Sequence, residues 1–239
     1  HRKDSICAFI HRVDPDIIDM QEVLHHQLEV LKTGLPEYTV VGVGREDGKT
    51  AGEYAPIFFK QAKYTLLDQN TFWLCEKPDS VGMVGWDAAL TRIATWVKLQ
   101  DKKTGQILMV VNTHFDHIGT EARRNSALLI IEKIKEIVGT SPAILTGDFN
   151  VSEDWDAYKT ITNNEFILKD AHKVAGKRTG VDFTYHNFGK IPAEKCEKID
   201  FIFVTPQIRV ISSYIPFSQL NDTLFLSDHN PEIVELEIK

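Results

Sequence analysis

Glu22, His114, Asp148, Asn150, Asp228 and His229 each stand at or just past the end of an apolar run, and their side chains are the ones that could do chemistry. Asp148 and Asn150 close the stretch AILTGDFN, in which residues 143–146 read as a short buried strand between the breaker Pro142 and the turn residue Gly147. If the extended path continues, both side chains project to one side while Phe149 points into apolar packing. The pair then offers one anionic and one neutral oxygen ligand. Taken alone, Gly-Asp-Phe-Asn also reads as a plain turn, because these residue types dominate turns. Glu22 ends DIIDMQEV, His114 opens the HFDH that follows the run at 107–112, and Asp228 and His229 sit in LSDHNP before the last apolar run. Asp200 lies inside a strand-like run between apolar neighbours, an expensive place for a carboxylate unless something pairs with it.

The ends of strands in one α/β sheet system can converge. Carboxylates gathered there would repel, raising one another's pKa and weakening the fold, unless a cation neutralised them. An oxygen-rich set with an amide and no thiolate suits Mg2+ or Mn2+ better than zinc.

The elements that must position these groups follow from periodicity. HRKDSICAFIHRV reads as a helix in progress, with Ile6, Phe9, Ile10 and Val13 on one face, and Pro15 ends it. A strand over 16–23 precedes a helix over 24–32, whose positive end Glu22 could simply favour. Strands are expected at 38–42, 55–60, 64–74, 92–100 and 107–113, with a hairpin at 102–105 and a polar loop over 44–54. A helix after HFDH carries Ala127, Leu128, Ile131, Ile134 and Val138 on its apolar face. Arg123 and Arg124 in its first turns could clamp phosphate, although a solvated face is the commoner role for such a pair. Residues 152–163 read as helical. Residues 170–198 lack clear periodicity and are locally basic, with Tyr185, His186, Asn187 and Phe188 interrupting the charge. A long irregular segment of this kind is more often functional than decorative. Strands at 199–204, 208–215 and 232–238 complete the set.

The chain has 239 residues and a net charge of -7, with an ordinary globular composition and no linker, so a single domain over 1–239 is expected. The acidic balance argues against a dedicated nucleic-acid binder while leaving local phosphate contacts open. Cys7, Cys75 and Cys196 form no metal or disulfide pattern. No run is long enough to span a membrane, so the protein is expected to be soluble, cytoplasmic or exported, and a monomer.

DIIDMQEV, VVNTHFDH, ILTGDFN, KIDFIFV and LSDHNPEIVEL, in that order, resemble the endonuclease/exonuclease/phosphatase superfamily, the DNase I-like metal-dependent phosphoesterases. The resemblance runs from about Asp16 to the C-terminus. VVGVG, GEYAPIFFK and the Arg-rich helix after NTHFDH are most similar to bacterial members related to deadenylases. The resemblance implies a four-layer α/β sandwich, two packed mixed sheets flanked by helices. The family's first strand, which brings an asparagine to the metal, has no counterpart before His1, and the uncapped opening helix suggests residues upstream.

By the same resemblance, Glu22 and Asp228 would ligate Mg2+ or Mn2+, and Asp148 and Asn150 would position the nucleophile and bind phosphate oxygen. His229 would be a base oriented by Asp200, and His114 would contact the scissile phosphate. Arg123 and Asn187 would bind substrate. The expected reaction is in-line attack of an activated water on a phosphodiester or phosphomonoester, small or nucleic. Two alternatives stand beside it. One is a nuclease on single-stranded or abasic nucleic acid, using Tyr185, Phe188, Trp155 and the lysines of 173–198. The other is a binding protein that kept the fold without catalysis.

Overall fold

A computed structural model describes residues 2–139, 141–163, 168–221 and 224–239; His1, where the expected helix begins, lies outside them. In chain order the elements are α1 (Arg2–Val13), β1 (Ile17–Asp19), α2 (His25–Gly34), β2 (Tyr38–Val41), β3 (Ile57–Lys60) and β4 (Tyr64–Trp73). There follow β5 (Ile93–Asp101), β6 (Ile107–His114), α3 (Thr120–Val138), β7 (Ala143–Asp148) and α4 (Asp156–Thr162). The last part holds β8 (Lys169–Asp170), α5 (Ala171–Val174), β9 (Lys177–Gly180), β10 (Asp200–Val204), β11 (Ile208–Ile215), β12 (Gln219–Asn221), β13 (Leu224–Phe225) and β14 (Ile233–Ile238). No described helix is long and apolar enough to cross a membrane.

Alternation along the central strands builds the layers. In β6, Met109 and Val111 face one core while Leu108 and Val110 face another; in β7, Ala143 and Leu145 oppose Ile144; in β10, Phe201 and Phe203 oppose Val204. These strands lie in a six-stranded mixed sheet ordered β4-β5-β6-β7-β10-β8. One face packs on α3 and α4 through Ala127, Ile130, Ile134 and Ile161. The other packs on Ile57 and Phe59 of a three-stranded sheet, β1-β3-β2, and on Val210 and Leu236 of a second one, β14-β11-β9. Phe58 and Tyr38 on the far face of β1-β3-β2 meet Ile10 of α1 and Leu28 and Leu31 of α2. Helices, sheet, sheets and helices give the four layers expected. Among the described residues the second sheet layer, the one facing the six-stranded sheet, consists of two separate three-stranded sheets, with a small β12-β13 pair besides.

Several boundaries differ from the periodicity. The strand expected over 16–23 pairs only from Ile17 to Asp19, after which Val23 makes a lone bridge to Tyr54. Helix α4 begins at Asp156, later than 152. The segment 170–198 contains α5 and the strand β9, KRTG, which pairs in parallel with β11. All four of its residues are exposed, so no apolar period marks it. Gly147 is part of β7, where a Cβ would stand 2.4 Å from the Thr113 carbonyl oxygen. Glycine therefore lets β6 and β7 approach at the point where they end in His114 and Asp148.

Beneath those ends lies a buried polar knot. Thr146 donates to Asp19 Oδ2 at 2.9 Å, Gln21 donates to Asn112 Oδ1 at 2.7 Å, and Asn112 donates to the Met20 and Pro56 carbonyls. Asp19 Oδ1 is buried without a partner among the described residues, and burial pushes this carboxyl up to about 7, against a lesser pull from Thr146. A carboxyl raised above its unfolded value makes its full contribution below the ordinary carboxylate range and loses it as pH climbs through the folded value. Asp19 therefore weakens the fold between about pH 4 and 7, by at most about 1.4 kcal/mol per pH unit. Chemical denaturation across that range should show Asp19→Asn with a flatter pH dependence and greater stability than wild type at pH 8. Parallel curves would contradict this reading.

Candidate active site

Three adjacent strands bring one row of side chains to a common edge. His114 of β6 is paired with Asp148 of β7, and Asp148 with Asp200 of β10, so the three stand side by side on the face that looks toward the second layer. The second layer supplies the opposite wall: Glu22 follows β1, and Asp228 and His229 precede β14. Phe149 turns the other way into an aromatic cluster, 4.9 Å from the Phe115 ring and 5.2 Å from that of Phe203. This packing gives the row a rigid floor.

His229 Nδ1 lies 2.7 Å from Asp200 Oδ2, and its Nε2 lies 3.9 Å from Asp148 Oδ2. Donation from Nδ1 to Asp200 leaves Nε2 as the free basic atom. Burial pulls the imidazole down, but the charge and hydrogen bond of Asp200, with Asp148 and Asp228 beyond, outweigh it and raise its pKa to about 9. His114 Nε2 sits 3.5 Å from Asp148 Oδ2 and 4.0 Å from Glu22 Oε1. Burial first, and then Arg92 and Arg45, hold this second imidazole well below its ordinary value, so it is a neutral hydrogen-bonding group near pH 7. Asp148 is driven up by burial and by Asp200, offset in part by His229 and the Asn150 N–H. Glu22 is raised by partial burial, then by Glu53 and Asp228.

Burial contributes most to both shifts and neighbouring acids add to it, and carboxylates crowded in this way form a candidate cation site. Donor atoms of Asp148, Asp200 and His229 lie within 4.8 Å of one another. With Glu22 and Asp228 beside them, the set is rich in carboxylate oxygen and lacks sulfur, which fits a hard divalent ion. Glu22 also holds φ at 60°, a left-handed conformation uncommon for a long side chain, and such outliers concentrate at functional sites.

Asn150 departs from the extended path. At φ 50° its N–H turns back to Asp148 Oδ1 at 2.9 Å, and its Nδ2 donates to the Phe115 carbonyl at 2.9 Å. The left-handed turn is one that Asn tolerates, so Asn150 fixes the Asp148 carboxylate and ties β7 to the loop after His114. Asp228 accepts at Oδ1 from the Ser227 hydroxyl, and its carbonyl accepts the His186 and Asn187 N–H groups at 3.0 and 3.1 Å. Asn187, at φ 48°, thereby lies beside the Asp228 turn.

Arg123 is not on a solvated face. Its side chain is 4% exposed, donates to the Asp116 carbonyl at 3.0 Å and packs under the Trp155 ring at 5.0 Å, while Arg124 is exposed. Lys198, one of the lysines of the locally basic segment, is not solvated either. It is buried, donates to the Asp200 carbonyl at 2.7 Å and to Glu232 at 2.8 Å, and so braces the start of β10. Thr184 Oγ1 accepts from the Asp200 N–H at 3.1 Å, and the Tyr185 ring packs 4.9 Å from that of His229. These supports escape pattern reading because their partners are distant in sequence and mostly backbone.

Asp116 has a structural task. Burial raises its carboxyl, yet N–H groups of Gly119, Ile118, Ala89 and Leu90 prevail and hold it near about 2. It thereby staples the 85–92 loop to the turn after His114. Asp87 in that loop accepts from the Ala122 N–H at 2.6 Å, capping α3 from outside.

A four-layer α/β sandwich whose strand ends gather acids, imidazoles and an amide defines the class of DNase I-like phosphoesterases. The chain belongs to the Endonuclease/Exonuclease/phosphatase family, whose sequence profile matches residues 1–229. It is 63% identical, with a TM-score of 0.97, to an endonuclease/exonuclease/phosphatase from Bacteroides vulgatus, over 100% of this chain and 90% of that one. It is 37% identical, with a TM-score of 0.93, to a mannosyl-6-phosphatase from Bacteroides thetaiotaomicron, over 99% of this chain and 91% of that one. Nocturnin of Drosophila melanogaster is 22% identical over 91% of this chain, which spans 37% of that protein. The protein is accordingly a phosphoesterase of a family that generally depends on divalent metal.

Proposed function

We propose that the protein hydrolyses a small phosphate ester, foremost a phosphomonoester of a sugar-like alcohol, with Mg2+ or Mn2+ as its cofactor. The observation that carries this reading is the His229–Asp200 contact of 2.7 Å beside the crowded Asp148. Glu22 and Asp228, with Asp148, would hold the ion, which when bound neutralises phosphate charge and lowers the pKa of water. His229 takes the proton of the attacking water at Nε2, and Asp200 stabilises the imidazolium so formed. Asp148, fixed by Asn150, orients that water for in-line attack on phosphorus, and the opposite P–O ester bond breaks to release the alcohol, which takes its proton from solvent. Neutral His114 donates a hydrogen bond to the phosphoryl group.

The sugar-phosphate class is supported by the mannosyl-6-phosphatase relative and by the charge distribution. Two of the basic residues expected to form a nucleic-acid track are already engaged: Lys198 with Glu232, and Lys173 with Glu153 at 2.5 Å. A nuclease acting on single strands is the second reading. It is favoured by the Trp155 ring, which is 42% exposed and backed by Arg123, so that a base could stack there.

Hydrolysis of p-nitrophenyl phosphate, bis-p-nitrophenyl phosphate, sugar phosphates and oligonucleotides separates these readings. Activity should vanish in excess EDTA and return with Mg2+ or Mn2+, and Glu22→Ala should lower it by at least about 100-fold at fixed metal. Full activity of Glu22→Ala, or of wild type in EDTA, would refute the metal-dependent mechanism. Oligonucleotide cleavage that exceeds sugar-phosphate hydrolysis and falls steeply with salt would favour the nuclease.

A further inference from the structure

Arg92 has a donor that the fold does not use. Its side chain is 4% exposed, its Nε faces Asp116 Oδ2 at 3.5 Å, and its Nη2 donates to His117 Nδ1 at 3.1 Å. Nη1 is buried with no partner among the described residues. A buried guanidinium N–H without an acceptor is costly, and a site that keeps one usually has an acceptor arriving from elsewhere. Arg92 lines a cavity of about 10 Å³ together with Arg45, Glu53 and His114. Arg45 Nη1 is engaged with Glu53 at 2.5 Å, whereas Arg92 brings to that lining a buried charged donor with no partner among the described residues. The cavity has room for about one oxygen atom or water.

We propose that this pocket takes a terminal oxygen of the substrate phosphate, donated to by Arg92 Nη1 beside His114, and that it thereby selects phosphomonoesters over phosphodiesters. The inference rests on the phosphoesterase reading of the site and sharpens its substrate class. A monoester carries three terminal oxygens and a diester two. One terminal oxygen of either can stand at His114 and a second toward Glu22, Asp148 and Asp228, where the ion would bind. The third terminal oxygen, which only the monoester has, fits the Arg92 cavity, whereas the carbon of a second ester group has no room there. Arg92 therefore rewards a dianionic phosphate and is a specificity determinant. It stays buried because Asp116, held by backbone N–H groups, anchors its other edge.

The test compares p-nitrophenyl phosphate with bis-p-nitrophenyl phosphate, each with Mg2+, in wild type and Arg92→Met. Wild type should favour the monoester. Arg92→Met should lower monoester kcat/KM by about 10- to 100-fold, the size of a lost charge-assisted hydrogen bond, with little change for the diester. Orthophosphate binding, followed by calorimetry, should weaken by a similar factor. Equal losses on both substrates, or a wild-type preference for the diester, would overturn the proposal. Should Arg92→Met fail to fold, wild type alone decides, because orthophosphate should bind with Mg2+ much more tightly than dimethyl phosphate. Equal affinity overturns the pocket. EDTA-insensitive activity instead sinks the metal-dependent reading and leaves that binding comparison to judge Arg92 separately.

Discussion

His229→Ala should lower kcat/KM at neutral pH by about 10²- to 10⁴-fold while leaving the fold intact, the range expected for losing a general base. The pH profile makes the expectation specific. His229 accepts a proton only when neutral, and Asp200 with its acidic neighbours keeps it protonated up to about 9 in the metal-free site. Wild-type activity should therefore rise with pH through the imidazole pKa. A cation bound at Asp148 would move that inflection below 9, because part of the negative field would then be neutralised. His229→Ala should lose the rising limb. Asp200→Asn should keep a reduced activity with the limb displaced to lower pH, because the imidazolium has lost its counter-charge. An unchanged limb in His229→Ala would assign the base to another group.

Replacing Asp148 with Asn should separate activity from stability in opposite directions. Asp148 is buried against Asp200, 3.5 Å from His114 and 3.9 Å from His229, and its pKa is raised by burial and by the Asp200 charge. With its folded pKa above the unfolded one, metal-free protein gains from Asp148 at acid pH and loses that gain as pH rises through the elevated value. In EDTA at pH 8, Asp148→Asn should melt higher than wild type, since the amide avoids burying a repelled charge. Added Mg2+ should raise the wild-type Tm by mass action and the Asn variant's much less. Catalysis should fall by at least about 100-fold, as for losing a pre-organised oxygen at the reacting centre. Thermal melts with and without Mg2+, read beside turnover, check all three. A Tm response to Mg2+ equal to wild type would place the ion elsewhere.

The site was legible wherever apolar alternation carried a side chain to a strand end. His114, Asp148 and Asp200 all lie on the same parity as Leu108, Ile144 and Val204, so period-two reasoning alone puts them on one face. That reasoning failed at Asn150, where an αL turn replaces the expected extended step, and at Glu22, which leaves β1 three residues after pairing stops. Both are turns whose dihedral angles depend on tertiary partners. The burial of Arg123 and Lys198 was not legible, because a basic residue in a polar context looks solvated whether or not a buried carbonyl or ring receives it. Strand β9 had no apolar residue to announce it. The division of the second layer was equally invisible, because strand order depends on contacts between segments far apart in the chain.

The central claim is that Glu22, Asp148 and Asp228 meet around a divalent ion. An anomalous difference map from a crystal grown with Mn2+ tests it directly. The expected result is a manganese peak in the cleft, ligated by the Glu22 carboxylate and bounded by Asp148 and His229. A peak ligated elsewhere, with none in the cleft at saturating Mn2+, would contradict it.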